Sequence, residues 1–199
     1  MHVISQTLSP RALDQLFREA RSFRAWRSEP IDAEDLRRIY DLLKYGPTSA
    51  NCCPARVVFV RSPEAKERLL SCVEKGNQKS VRAAPVTAIV AHDLEFYEKL
   101  PKLAPHADAR SWFAGKQALI ESTAFRNGTL QGAYLILAAR ALGFDCGPMS
   151  GFDNAKVDRI FFPDTPWRSN FICNIGHGEP QGLFPRQPRL PFEEACRVE

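Results

Sequence analysis

The sequence predicts one domain in which short strands are interspersed with amphipathic helices, and three observations carry that reading. Four short, apolar and partly β-branched segments, 56–61, 85–92, 144–149 and 171–177, read as strands. Helical periodicities stand between them, several opened by a capping residue or a cap-and-proline pair. No repeat, low-complexity segment or linker divides the chain, so residues 1–199 are read as a single domain whose last part, from about residue 180, is an extended arm.

Taken in order, Ser9-Pro10 supplies an N-cap and an N1 proline, and Leu13, Leu16, Phe17 and Ala20 then recur at helical spacing to about Ser22. A second helix starts at Asp32, carries Leu36, Ile39, Tyr40 and Leu43 on one face, and stops at Gly46-Pro47. The small hydroxyl and amide residues of 48–54 compete with helix hydrogen bonds, so this is a loop. The strand 56–61 follows, then a helix opened by Ser62-Pro63, then the strand 85–92, apolar enough to be central. Residues 93–118 mix aromatics with prolines and charges, which suggests short helices over a cleft rather than core. The strongest helix spans 121–142, ends at Gly143 and is apolar nearly all round in its second half, so it should be buried on most faces. Its Gly128 and Gly132 are small enough for another backbone to approach. A short helix over 153–161 separates the last two strands, and the proline-rich stretch 182–191 has no periodicity of its own.

A chain of 199 residues can bury roughly 70% of its unfolded surface without a metal or disulfide staple. The longest apolar runs, 86–91 and 133–139, fall far short of a bilayer span of roughly 20 residues. The start Met1-His2-Val3-Ile4 lacks the basic and apolar regions of a leader, which points to the cytoplasm. Six cysteines show no C-x-x-C spacing and four histidines are scattered singly, so no metal site is expected and the cysteines read as reduced, mostly buried thiols. The net charge of +4 is spread along the chain, which gives nucleic acid no evident footprint. Local arginines can still hold a small phosphate.

There is no G-x-G-x-x-G, P-loop, H-E-x-x-H or G-x-S-x-G motif. What remains are weaker features that gain meaning together. Arginines stand near both ends of the chain, at 21, 24, 186 and 189, and two such clusters can converge on one phosphate through their planar forks. An Asn in a small-residue loop can offer donor and acceptor to a heterocycle, and Gly-Pro-Met-Ser-Gly (147–151) lets backbone pass close to a flat ligand. Each has a plainer reading: helix-end charges, turn residues at Asn51 and Asn77, surface arginines in the arm, satellite core at Trp112 and Phe113.

The set Ala-Arg-Ser-Phe-Arg-Ala-Trp (20–26), Gly-Pro-Thr-Ser-Ala-Asn-Cys-Cys-Pro-Ala (46–55), Gly-Pro-Met-Ser-Gly-Phe-Asp (147–153), Asn-Ile-Gly-His-Gly (174–178) and Pro-Arg-Leu-Pro-Phe-Glu-Glu (188–194) resembles the nitroreductase family of FMN enzymes, in register over essentially the whole chain. Within it, Pro-His-Ala-Asp-Ala-Arg-Ser-Trp-Phe (105–113) and Thr-Ala-Phe-Arg-Asn (123–127) are similar to the malonic semialdehyde reductases of pyrimidine utilization. The resemblance implies an α+β fold with a central mixed sheet sandwiched by helices, in an intertwined homodimer with two FMN sites at the subunit interface. It implies that Arg21, Ser22, Arg24, Arg186 and Arg189 hold the FMN phosphate and ribityl chain. Pro47, Thr48, Ser49 and Asn51 would approach the flavin from the partner subunit, Asn77 would meet its polar edge, and Pro148, Met149 and Gly151 would lie near the ring. Trp112 and Phe113 would form a lid, with Arg110 beside them for a substrate carboxylate. NADH or NADPH would be the electron donor in two half-reactions at one site, malonic semialdehyde or a nitroaromatic or quinone the acceptor; the alternative from another class is a flavin-binding module without turnover. No side chain is given a catalytic role, because the flavin carries the chemistry; no metal, nucleic acid or membrane is expected. The chain departs from the family pattern at Ala20, where many members have arginine, and at Cys53, where they have glutamine.

Overall fold

In the computed structural model, which describes residues 6–199, β2 (Val86–Asp93) is buried along its whole length. It pairs with β1 (Ala55–Val60) on one side and β4 (Trp167–Gly176) on the other, and β3 (Asp145–Met149) completes the order β1-β2-β4-β3. All three pairings are antiparallel. The expected mixed sheet is thus corrected: parallel pairing is confined to an isolated bridge between Ser22 and Cys146, because the N-terminal segment crosses the β3 edge without forming a strand. Residues 1–5, where the reading of the N-terminus for a leader begins, lie outside the described residues.

Alternation along β2 builds a helix–sheet–helix sandwich. Val86, Ala88 and Val90 face α2 (Ala33–Leu43) and the long α6 (Gln117–Ala141), whose Leu36, Ile39, Leu43, Leu135 and Ala139 fill that layer. Ile89 and Ala91 face the opposite layer with Leu69 and Leu70 of α3 (Pro63–Leu70), Val81 of α4 (Lys75–Ala83) and Val157 of α7 (Asn154–Phe161). Asp32, Ser62 and Asp153 cap α2, α3 and α7 through their side chains, as short polar residues do at an N-cap. Gly128 and Gly132 of α6 admit side chains of the sheet rather than a backbone: a Cβ at Gly132 would sit 2.6 Å from the Phe171 ring, and one at Gly128 would sit 2.8 Å from the His92 Cβ.

Three expectations change. The first helix breaks early: α1 (Pro10–Leu13) passes into a wider π-helical turn, Asp14–Arg18, and regular helix ends there rather than near Ser22. Residues 75–83, where the sequence predicts no helix and offers Asn77 as a turn residue, are helix α4, whose Gly76 and missing side-chain cap weaken its signal. Residues 93–118 do form short helices, including α5 (Leu100–Leu103), but they bury a third apolar cluster of Phe96, Leu100, Ala109 and Phe113 against Ile120 and Ala124 of α6. The arm after Pro180–Gly182 runs without regular structure to a final turn, α8 (Phe192–Ala195). Not all of α6 is covered, since Leu119, Leu130 and Tyr134 remain exposed on it. Among the described residues no helix is long and apolar enough to cross a membrane.

His92 gives a pH prediction. Its ring meets Phe125 edge-on, and its buried Nδ1 has no hydrogen-bond partner. Burial pushes its pKa below 6.5, outweighing the opposing pull of Asp158 and Asp93, while Arg168 adds to the lowering. A depressed folded pKa means that the unfolded chain takes up the proton first, so this contribution to stability is full above about pH 6.5 and is lost as pH falls through the folded value. Thermal midpoints measured from pH 7.5 down to pH 5 should therefore fall less in His92→Gln than in the parent chain. Parallel curves would contradict this.

Candidate functional site

Two adjoining clefts lie where the N-terminal segment crosses the sheet edge. Residues 22–26 run beside β3: Phe23 N–H donates to Cys146 O at 3.0 Å, and Trp26 bridges to Gly178. Trp26 Nε1 donates to Ser80 Oγ at 3.1 Å, Asn174 Nδ2 donates to the same oxygen at 3.1 Å, and Thr87 Oγ1 donates to Asn174 Oδ1 at 2.7 Å. This buried, paired network fixes α4 and the N-terminal segment to the sheet. Above it opens a cleft of about 240 Å³ lined by Ser22, Phe23, Arg24, Asn77, Lys79, Ser80, Pro148 and Met149. Ser22 and Arg24 also line a second pocket of about 550 Å³, with Arg21, Arg140, Arg186, Arg189 and Phe184. Among the described residues neither lining contains a carboxylate.

The arginines of the two chain ends thus meet as the sequence suggested. The arm is tied there by its own contacts. Arg186 donates to Ala20 O at 3.1 Å, Arg21 donates to Phe184 O, and Arg24 lies over the Phe184 ring at 5.7 Å. Arg140 is an addition: it sits near the end of α6 with no local motif around it, and only the folded chain brings it to this pocket. Lys79 reaches the cleft from α4, a helix the sequence does not predict.

The remaining residues fall into two groups. Asn77 Nδ2 donates to Gly151 O at 3.3 Å, so Gly151 stands behind Asn77 rather than in the cleft wall. Pro47, Thr48, Ser49 and Asn51 line neither cleft. Their loop borders α6 and a separate groove of about 870 Å³, and the Asn51 amide donates to Leu103 O at 2.8 Å. Phe113, 6% exposed, packs edge to face on Phe96, which corrects its expected place in a lid: it is core. Trp112 beside it is 49% exposed. Arg110 is held by both oxygens of Glu98, at 2.7 and 2.8 Å. Cys52 is buried and its thiol is pushed up to about 11, so it stays protonated at neutral pH and is no nucleophile.

Gly151→Ala tests the Asn77 contact. The new Cβ would stand 2.5 Å from Asn77 Nδ2 and 2.8 Å from Glu74 Oε2, both ends of movable side chains. Asn77 should swing away at little cost. The thermal midpoint is expected to move by less than about 4 °C, while ligand affinity at the cleft falls several-fold; an affinity equal to the parent's would remove Asn77 from the site.

A profile described as the nitroreductase family matches residues 17–177, which includes both the N-terminal arginines and β4. A Burkholderia lata protein with the provisional name NADH dehydrogenase/NAD(P)H nitroreductase is 63% identical over 97% of this chain and 99% of its own length. A Xanthomonas oryzae protein of the same provisional name is 59% identical over 98% of this chain and all of its own length. Among solved structures, a nitroreductase from Bacillus subtilis superposes with a TM-score of 0.87 at 25% identity, covering 95% of this chain and 99% of that one. Another, from Exiguobacterium sibiricum and solved in complex with FMN, superposes with a TM-score of 0.84 at 20% identity over 98% and 99% of the two chains. The family match over residues 17–177 and relatives 59–63% identical along nearly the full length show that the chain belongs to the nitroreductase family.

Proposed function

We propose that this chain is an FMN-dependent NAD(P)H oxidoreductase, working as a cytoplasmic homodimer. The observation that carries the reading is the junction of the two clefts: an arginine pocket without acids opens through Ser22 and Arg24 into a cleft walled by Pro148, Met149 and Asn77. A phosphate and a flat polar-edged ring joined by a short chain match that sequence of surfaces. Arg21, Arg24, Arg186 and Arg189 would hold the phosphate, with Arg140 adding charge behind them. FMN bound there supplies reversible hydride acceptance, first from NAD(P)H and then toward a second substrate. The chain's part is to hold donor and acceptor in turn against one position and to exclude water from it. The provisional names of the relatives and the FMN in the Exiguobacterium structure support the same reading.

Homodimer formation is supported by the apolar surface left open. Leu119, Leu130 and Tyr134 on α6, Tyr40, Leu42 and Tyr45 at the end of α2, and Phe184, Leu190 and Phe192 in the arm are all exposed. Edge strand β1 borders the large groove with a free side. A second copy seated there would bring loop 47–54, remote from its own clefts, within reach of a partner's flavin.

For the acceptor, the motifs at 105–113 and 123–127 favour malonic semialdehyde reduced to 3-hydroxypropionate, with Arg110 and Trp112 toward the substrate. Arg110 would then exchange its Glu98 partner for the substrate carboxylate. The relatives' names, which include NAD(P)H nitroreductase, favour a nitro compound instead. Purified protein should be yellow, release FMN on denaturation and be bleached anaerobically by NADH or NADPH. Reoxidation by malonic semialdehyde but not by a nitrofuran selects the first acceptor class, and the converse selects the second. Colourless protein that takes up no added FMN refutes the reading.

A further inference from the structure

We propose that Asn127 and Gln131 are positioning residues that clamp loop 47–54 in the shape a cofactor site needs; this rests on the reading that the loop completes the flavin site of a partner subunit. The two lie one turn apart on α6, 1% and 5% exposed. Asn127 Oδ1 accepts from Ser49 N–H and Gln131 Oε1 from Ala55 N–H, each at 2.9 Å, so one helix face holds both ends of the loop. Between these points the backbone is strained. Ala50, Asn51 and Cys53 have φ of 52°, 51° and 40°, a region that residues with a side chain rarely adopt. Arg56, paired with Asp93 at 2.5 Å, donates to Cys53 O at 3.1 Å and secures the last of them.

Such strain persists only where surrounding structure over-determines it. Here the surroundings are buried polar side chains of a helix that would otherwise pack well with apolar ones, while Pro47, Ser49 and Asn51, the residues so held, stay exposed. Burying amides to fix an exposed, strained loop makes sense when the loop's outer surface must match a ligand.

The test uses the full-length protein. Gln131→Met removes the acceptor at similar volume, Gln131→Glu keeps it, and Leu69→Ala in the opposite layer supplies a comparable loss of stability elsewhere. FMN titration, the visible spectrum of bound flavin and amide exchange over 49–55 are measured on each. Leaving Ala55 N–H unpaired should speed exchange in the loop and weaken FMN binding about tenfold with an altered spectrum. Gln131→Glu should restore both, and Leu69→Ala should lower the thermal midpoint without either change. Should Gln131→Met fail to fold, Asn127→Ser, which withdraws the acceptor from Ser49, is judged by the same measurements. Unchanged FMN affinity and spectrum in a folded Gln131→Met or Asn127→Ser overturns the proposal, even if stability falls. A parent chain that binds no FMN defeats the underlying reading and this proposal with it, and the parent titration tells that case from failure of the clamp alone.

Discussion

Arg24→Ala is expected to weaken FMN binding about 10- to 100-fold, the loss of one or two charge-assisted hydrogen bonds at about 1.5–3 kcal/mol for the larger cases. Adding Arg189→Ala should leave a protein that gives up its flavin on gel filtration. Arg24 is chosen because, of the arginines lining the two clefts, it is the one that lines both, so it can serve the phosphate and the chain leading to the ring. Arg189 bonds only to carbonyls of its own segment, Gln187 and Pro188, and its removal frees nothing else. By contrast, Arg21 and Arg186 tie the arm to the N-terminal segment, so their variants mix lost charge with a displaced arm. Both chosen side chains are exposed, so the flavin-free double variant should melt within a few degrees of the parent. The affinity that remains should also depend less on salt, since fewer cations meet the phosphate. Titration of flavin-free protein decides the matter. An unchanged dissociation constant in the double variant would remove the phosphate from this pocket.

What the sequence made legible follows the range of the forces involved. Capping at Asp32, Ser62 and Asp153 is written in adjacent residues, and all three helices begin where the caps stand. The apolar run 86–91 marked the buried central strand for the same reason. Helix α4 was missed because its stability comes from Val81 and Ser80 packing under the cleft, not from the propensity of Lys-Gly-Asn-Gln. Phe113 was misplaced because the polarity of its sequence neighbours Arg110 and Ser111 does not decide where its ring packs; the ring rests on Phe96, seventeen residues earlier. At the site, Arg21, Ser22, Arg24, Arg186 and Arg189 were legible as two clusters able to meet, whereas Arg140 belongs to a helix with an unrelated packing role and carried no local signal. The exposed stripe on α6 was read as buried on the strength of its apolar residues alone. That disagreement is itself informative, since an apolar stripe left exposed is the surface on which the proposed homodimer would close.

Gly147→Ala is expected to cost both stability and flavin. Gly147 lies in β3 opposite Asn174, and its backbone has an ordinary φ, so alanine strains no dihedral there. The obstacle is space. A Cβ would come 2.4 Å from Phe23 O and 3.0 Å from Trp26 Cζ2, and the first of these is backbone that cannot rotate away. The N-terminal segment must therefore lift from the sheet edge. That loosens the Phe23 N–H to Cys146 O bond and the Trp26 to Ser80 bond, at about 1 kcal/mol each, beyond an overpacking cost of about 1–3 kcal/mol. For a chain of 199 residues this corresponds to a fall of about 6–20 °C in thermal midpoint. Ser22 and Arg24 ride on the displaced segment, so FMN affinity should fall by at least about tenfold as well. Gly151→Ala, just past the end of the same strand but facing movable side chains, provides the contrast, with affinity reduced and stability kept. If Gly147→Ala retained the parent's midpoint and affinity, the N-terminal segment would not be the rigid wall that joins the two clefts, and the phosphate and ring sites would have to be positioned by the arm and α4 alone.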